Sequence, residues 1–403
     1  MISVFDKKEN CCGCTACKNI CPQNVINMVP DSEGFLYPVI DQNLCIDCGL
    51  CKRVCPFLNR VFIQDKLTDR LIYAVKHKNM EVRKTSSSGG VYTAISDYIL
   101  KESGIVYGVK FDDKFDAIHS KAITAEERDK FKGSKYIQSE LKDTFKQIKH
   151  DLEEGKSVLF TGTGCQVAGL RLYLNNAGTN SEKLITNDII CHGTPSPLLW
   201  KTYLNFIQTE SRLKEYSFRY KEKGWRGYNI RAEFENGKVE LNTPKIKTYI
   251  ALFGSDLILR PSCYKCPFTN LNRPSDIMMG DFWGIEKTMP ELDDNRGISL
   301  LLINTDKGKL VLDGIEGEID KWESNSTACL QYNLEKPTRK PKNREKLWQD
   351  FSKKSFLYIA KKYGGNNLKS IIKCSIRTLL TKLRILQLLK KGKNLLRKSF
   401  YCI

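Results

Sequence analysis

Runs rich in apolar and β-branched residues alternate along the chain with stretches whose apolar positions recur every three or four residues. LIYAVK at 71–76, GIVYGVKF at 104–111, SVLFTG at 157–162 and KLITNDII at 183–190 have the length and composition of strands. DIMMGDFWG at 276–284 and GISLLLIN at 297–304 continue the series. GVYTAISDYILKE at 90–102 reads as an amphipathic helix, and SELKDTFKQIKHDLEEG at 139–155 as another that ends at Gly155. This alternation predicts a mixed α/β body with a substantial sheet over residues 70–335. Ahead of it, GFLYPVID at 34–41 alternates like one short strand. Behind it, Ile372, Ile376, Leu379, Leu383 and Leu386 fall on one helical face within residues 366–398. The expected chain is therefore α+β, with a small module at 1–62, the larger body at 70–335 and a C-terminal segment at 336–403.

Charge separates these parts. The 403 residues carry 65 Lys and Arg against 46 Asp and Glu, a formal charge of +19. Residues 336–403 hold 20 basic and 2 acidic side chains, a net of +18, which leaves +1 for the rest. A near-neutral body argues against nucleic acid as a partner, because phosphate binding needs a basic face. Met1 to Asn10 is polar and lacks the apolar stretch of a secretory signal. No segment reaches the roughly 20 apolar residues of a membrane span. The sequence thus predicts a cytoplasmic protein, in which thiols stay reduced and the 16 cysteines read as metal or cluster ligands before disulfides.

Cys11, Cys14, Cys17 and Cys21 form a C-x-x-C-x-x-C-x-x-x-C run closed by Pro22. Cys45, Cys48, Cys51 and Cys55, closed by Pro56, repeat it at an offset of 34 residues. This is the two-cluster pattern of bacterial ferredoxins, in which three thiolates of a run wrap one cubane and the fourth reaches the other. One 4Fe-4S cluster is expected on Cys11, Cys14, Cys17 and Cys55, the other on Cys45, Cys48, Cys51 and Cys21. Zinc is the alternative, but paired four-cysteine runs ending in Cys-Pro seldom hold it. Gly13 and Gly49 let the backbone approach the sulfides, and Cys12 reads as a bystander. Such a module is an electron wire and implies a redox centre in the body.

Three places in the body carry candidate chemistry. Ser86, Ser87, Ser88, Gly89 and Gly90 lie between a predicted strand and a predicted helix, where hydroxyls and free amides suit a pyrophosphate or simply cap the turn. Cys165 and Cys191 each follow a strand and open a helix, and Cys263 and Cys266 add a C-x-x-C pair between Arg260 and Arg273. Four thiolates suit a third cluster or a zinc ion, and Cys165 alone could be a redox-active thiol.

At this point the order SSSGGVYTAI (86–95), GSKYIQS (133–139), VLFTGTGCQVAGL (158–170), DIICHGTPSP (188–197), RPSCYKCPF (260–268) and DIMMGDFWG (276–284) resembles the beta-subunit family of coenzyme F420 hydrogenases and dehydrogenases. It is similar to the bacterial branch that carries a ferredoxin in front. The resemblance spans residues 1–335 and implies a flavin, normally FAD, beside the iron–sulfur clusters, in a mixed α/β flavin-binding domain. It implies an oxidoreductase fed by ferredoxin or another low-potential donor and acting on an unidentified small molecule, with surface-polysaccharide biosynthesis as one setting. It also allows an electron-transfer subunit whose substrate site lies on a partner. The family usually has proline where this chain has Gly164, which loosens the turn before Cys165. The resemblance makes Cys165, Cys191, Cys263 and Cys266 ligands of a third cluster, and Ser86–Gly90 a flavin site. Lys135 becomes a candidate for the flavin ring or phosphates, and His192 for a proton donor or a turn cap. Asp281 either orients a ligand or ends a strand, and Trp283 reads as core.

In the C-terminal segment, Lys373, Arg377, Lys382, Arg384, Lys390 and Lys391 lie largely off the apolar stripe. A basic amphipathic helix suits the surface of an anionic membrane, packing on the body, or a partner.

Overall fold

The computed structural model describes residues 3–59, 61, 66–222, 224–368, 372 and 376. The predicted tail helix therefore lies largely outside the described residues. The N-terminal module is a pair of cysteine loops around a hairpin of β1 (Ile26–Pro30) and β2 (Leu36–Ile40), paired antiparallel from Ile26↔Ile40 to Pro30↔Leu36. The body is built on an eight-stranded mixed sheet. Its strands are β3 (Lys66–His77), β4 (Ile105–Phe111), β5 (Ala117–Ala122), β6 (Val158–Thr163) and β7 (Leu184–Ile189). A separate three-stranded antiparallel sheet holds β8 (Leu213–Ser217), β9 (Arg231–Phe234) and β10 (Val239–Leu241). The large sheet is completed by β11 (Ile277–Asp281), β12 (Ser299–Thr305) and β13 (Ile319–Glu323), in the order β13-β3-β12-β11-β7-β6-β4-β5.

Strands β4, β6, β7 and β11 run parallel, and the remaining neighbours are antiparallel. Every residue of β12 is buried, which is why its sequence is an unbroken apolar run with no alternation. In the parallel core, β6, β7 and β11 end at one edge. The register Asp281↔Ser299↔Val75 brings the start of β12 and the end of β3 to that edge as well. Parallel sheets bind ligands at such carboxyl ends.

Among the described residues the elements predicted over 34–41 and 71–304 are present within about five residues of their expected bounds, the second helix running Thr144–Glu153 and the first body strand starting at Lys66. Leu141 and the turn before Thr144 occupy the start of the predicted span. Two features extend past the predicted boundaries. Residues 344–362 form helices Arg344–Lys353 and Phe356–Lys362. Their Leu347 and Ile359 are buried in the aromatic core around Trp200, Tyr203, Tyr216, Phe218 and Tyr249. The packed body thus continues beyond residue 335. No described helix is long and apolar enough to cross a membrane.

The N-terminal module shares its core with the body: Cys14, Cys17, Val25 and Val54 pack with Phe145, Phe160, Val167 and Leu170. One close approach is to helix Gly164–Asn176, where a Cβ on Gly169 would lie 2.9 Å from Cys14 Sγ. Arg344, 5% exposed, forms a bidentate pair with Glu33 in the β1–β2 turn and donates to Leu259 O at 3.0 Å. The C-terminal helices therefore strap the module to the body. Gly169→Leu is expected to destabilise the chain by about 1–3 kcal/mol through overpacking, although leucine is the better helix former. Denaturant unfolding checks this, together with loss of the visible absorbance of the first cysteine set.

Candidate functional site

The two N-terminal runs repeat in backbone as well as in sequence. Gly13 and Asp47 occupy equivalent positions with φ of 69° and 52°. Thr15 and Gly49 are the next equivalent pair, at 62° and 72°. Glycine is thus used at one left-handed position per run, and at a different one in each. The Cys17 thiol is pushed up by burial and by the neighbouring Cys11, Cys55 and Cys51. Cys14 feels Cys17 and Cys55, and Cys55 feels Cys11. The expected first set is therefore one group of mutually repelling buried thiols. Such thiols favour a metal partner, which takes them deprotonated. Cys21, Cys45, Cys48 and Cys51 line a second cavity of about 340 Å³. Cys48 is exposed at its mouth, next to Leu44 and Ile46, which are 62% and 58% exposed.

Cys165, Cys191, Cys263 and Cys266 line a third cavity, of about 610 Å³. Cys165 enters from the start of the helix after β6 and Cys191 from the end of β7. Cys263 and Cys266 come from the turn Pro261–Lys265. Burial, then Cys263, Cys165 and Cys266, push the Cys191 thiol well up, and the Cys266 thiol is pushed up to about 12. Among the described residues no three His, Cys, Asp or Glu side chains close on the single point an isolated ion needs. Gly164 is explained by its surroundings: a Cβ there would lie 3.0 Å from Asp188 Oδ2 and 3.1 Å from Arg273 Nη2. Those two side chains are 0% and 2% exposed and form an ion pair of 2.5 Å.

Cys12 is not a bystander in position. It is buried and lines the third cavity beside Cys165. The signal available in sequence is only its adjacency to Cys11.

On the other side of the same sheet edge lies a cleft of about 1320 Å³, lined by Ser86, Ser87, Ser88, Gly90, Lys135 and Thr161–Thr163, among others. The serine loop joins two helices, Met80–Thr85 and Val91–Lys101, rather than a strand and a helix. The first of these has only six residues and a single capping Asn79, so its periodicity is too short to read. The hydroxyls are largely committed. Ser86 Oγ donates to Val82 O at 2.6 Å and Ser88 Oγ to Ile298 O at 2.7 Å, while Ser87 Oγ accepts from Ser134 N at 2.8 Å. The amides at the start of helix Val91–Lys101 are therefore the donors offered to an anion. Lys135 lines the cleft, but its ammonium donates to the carbonyls of Lys130, Phe131, Lys132 and Gly133 at 2.9–3.2 Å. Burial draws this amine down to about 7, and the four carbonyl dipoles oppose that.

Between the cleft and the third cavity lies a chamber of about 730 Å³. It shares Lys135, Tyr136 and Asp281 with the cleft, and Cys191, His192 and Gly193 with the thiol cavity. His192 is held from both sides, Nε2 at 2.5 Å from Asp256 Oδ1 and Nδ1 at 3.3 Å from Asn333 Oδ1. Asp281 ends β11 and also accepts from Arg219 Nη1 at 2.8 Å and Trp225 Nε1 at 2.9 Å. Trp283 is not core: it is 36% exposed and stacks on Trp225 at 4.7 Å, with the Arg219 guanidinium 5.2 Å from its ring. Arg219, Tyr228 and Asn333 give no motif in the sequence, whereas Tyr136 lies inside GSKYIQS.

Residues 72–146 match the N-terminal part of the coenzyme F420 hydrogenase/dehydrogenase beta subunit, and residues 155–323 match its C-terminal part. Residues 10–59 match a 4Fe-4S dicluster domain. The chain is 24% identical over 332 residues to 7-hydroxymethyl chlorophyll a reductase of Oryza sativa subsp. japonica, covering 74% of this chain and 66% of that protein. Over 55 residues it is 33% identical to an uncharacterized ferredoxin of Methanocaldococcus jannaschii, covering 14% of this chain and 30% of that one. A solved chain of the F420-reducing [NiFe] hydrogenase complex from Methanosarcina barkeri aligns with a TM-score of 0.45 and 17% identity, over 77% of this chain and 92% of its own.

The Arg219–Asp281 pair gives a test of the chamber's frame. Arg219 has 3% of its side chain exposed, so Asp281→Ala strands a buried cation. The expected loss is about 3 kcal/mol, read by chemical unfolding, with Asp281→Asn retaining part of the hydrogen bonding.

Proposed function

The chain belongs to the coenzyme F420 hydrogenase/dehydrogenase beta-subunit family, with a 4Fe-4S dicluster domain ahead of it, and from that premise we propose that it is an iron–sulfur flavoprotein oxidoreductase. The observation that carries the reading is the adjacency of cavities. The serine-lined cleft, the chamber and the cavity of the third thiol set share lining residues, and Cys14, Cys17 and Cys55 of the first set pack in one core with Cys51 and Cys165. Cys11, Cys14, Cys17 and Cys55 would hold the first 4Fe-4S cluster, Cys21, Cys45, Cys48 and Cys51 the second, and Cys165, Cys191, Cys263 and Cys266 a third. Ser86–Gly90 and the amides just after them would hold the pyrophosphate of FAD. Lys135 would shape the loop against the ring rather than touch the phosphates. Bound clusters carry single electrons, and a bound flavin exchanges them for the electron pair a substrate needs.

The chain's own residues then have defined tasks. Leu44 and Ile46, both more than half exposed and close in sequence to the exposed Cys48, offer an apolar docking rim to ferredoxin or another low-potential donor. Asp256 fixes the His192 ring, and Nδ1 is the more weakly held nitrogen and the one assigned to proton delivery. Trp283, Tyr228, Gln331 and Asn333 line the chamber. Aromatic side chains beside amides suit a hydroxyl-rich ring, and a surface-polysaccharide building block is the substrate class we assign. The basic tail would hold the protein at the inner face of an anionic membrane.

A second reading, an electron-transfer subunit with the substrate site on a partner, is favoured by one observation. Leu330 and Tyr332, beside the chamber's Gln331, are 40% and 46% exposed and leave its rim apolar. Turnover of small molecules by the purified chain separates the two readings.

Anaerobic purification should yield roughly twelve iron atoms, four per cluster, with matching sulfide and one FAD per chain. Zinc in place of iron, without flavin, defeats the assignment. In Ile46→Lys, reduction by ferredoxin should slow roughly tenfold, the effect of about 1.4 kcal/mol at one contact side chain, with iron content unchanged. An unaltered rate removes this rim as the docking site.

A further inference from the structure

Six arginines are buried among the described residues: Arg83, Arg128, Arg219, Arg260, Arg273 and Arg344. All but Arg260 sit on a carboxylate, in that order Asp294, Asp97, Asp281, Asp188 and Glu33. Arg260 is 0% exposed and has no carboxylate partner among the described residues. Its Nε donates to Cys11 O at 2.7 Å, its Nη1 to Gln138 Oε1 at 3.0 Å, and its Nη2 to Leu36 O at 2.9 Å and Cys11 Sγ at 3.5 Å. The guanidinium lies over the Tyr37 ring at 4.3 Å. These neutral acceptors satisfy its N–H groups and leave its charge unbalanced. An unpaired charge at full burial is strongly unfavourable, so a fold that keeps one is built around an anion.

The groups positioned to supply that anion are thiolates on both sides. Arg260 touches Cys11 of the first set. It also lines the third cavity together with Cys12, Cys165, Cys191, Cys263 and Cys266. We propose that Arg260 is the shared counter-cation of the first and third iron–sulfur clusters and sets their reduction potentials together. This rests on reading the third thiol set as a cluster site. The step concerned moves one electron from the first site to the third. The first is oxidised and the third reduced by the same unit, with no bond made and no proton moved. A buried cation favours the more negative, reduced state of each neighbour and so raises both potentials. Raising them together keeps the step between them nearly level while both become easier to fill from the exposed second set. Arg260 is in this sense a tuning residue for the transfer, acting through charge and through the hydrogen bond to Cys11.

The test uses the full-length, cluster-loaded protein, purified anaerobically, in potentiometric titrations followed by electron paramagnetic resonance. In Arg260→Met, iron content should hold while the midpoints of the first and third clusters both fall. The expected size is at least a tenfold change in the reduction equilibrium, 59 mV for a one-electron couple. The second cluster should stay in place, and Arg260→Lys, which keeps a cation, should remain near wild type. Gln138→Glu sets a carboxylate against the guanidinium without removing it and should give a fall of the same sign at both sites. Unchanged midpoints, or a fall at only one of the two clusters, overturn the proposal. If Arg260→Met does not retain iron, Gln138→Glu decides by the same criterion. Iron for only two clusters in the wild type would fail the third-cluster reading itself, and the shared counter-cation with it, before any potential is measured.

Discussion

The edge at which β6, β7 and β11 end governs the arrangement of everything else. Parallel strands need crossovers, and crossovers deliver successive loops to the same edge. Thr163, Ile189 and Asp281 are therefore neighbours in space although more than a hundred residues separate the first from the last. The residues just past each strand end build the site: Cys165 after β6, Cys191 after β7, Trp283 after β11. The antiparallel additions sharpen this. Because β12 starts and β3 ends opposite Asp281, the serine loop is brought to the same edge from the other flank. Thiols collect on one side of the edge, hydroxyls and amides on the other, and the chamber forms between them.

Docking of the cysteine-rich module obeys the same geometry. It covers the thiol side, where helix Gly164–Asn176 gives it a surface without a side chain at Gly169. Its β1–β2 turn is gripped by Arg344 from a helix far along the chain. Around the first thiol set the polar contacts between the two parts involve backbone carbonyls of Cys11, Cys12 and Leu36, while Lys18 pairs with Asp143 and Lys146 with Asn24 at the surface. Carbonyl acceptors fix the backbone around the cysteine loop, so the position of the first thiol set relative to the third is defined by the fold and not by long surface side chains.

Much of this is legible in the sequence, and the rest is not for identifiable reasons. Continuous apolar runs such as SLLLINT and VLF mark buried strands because burial on both faces removes alternation. The strands β8–β10 escape notice because LKEYS, RAEF and VEL are short and charged, with one face in solvent. The twelve cysteines of the three sets stand out through spacing and strand ends, since thiol ligation demands a residue type that is otherwise sparse. The serine loop is legible as a location but not in its chemistry. Its hydroxyls bind neighbouring carbonyls and Ser134, which no local pattern encodes. Arg219, Asp256 and Asn333 act only through tertiary contacts. Cys12 is easily misread because a thiol outside a spacing rule has no sequence signal, whereas its value depends on the groups that lie on either side of it.

Charge along the C-terminal segment now divides differently. Of its 20 Lys and Arg, 10 precede residue 369 and sit on or near helices that pack against the body, where Arg344 is buried on Glu33 and Lys362 pairs with Asp350 at 2.7 Å. Those charges serve the body's own structure or its surface. The other 10 lie in residues 369–403, which contain no acidic side chain. Attraction to an anionic surface depends on charge that is not already paired and lies within a Debye length of it. Of the ten before residue 369, Lys340, Arg344 and Lys362 are paired with a carboxylate, and the ten after it have no acidic side chain in their own stretch. A membrane role therefore draws first on the basic residues of 369–403, roughly half of the total, while the redox site's fold rests on some of the others.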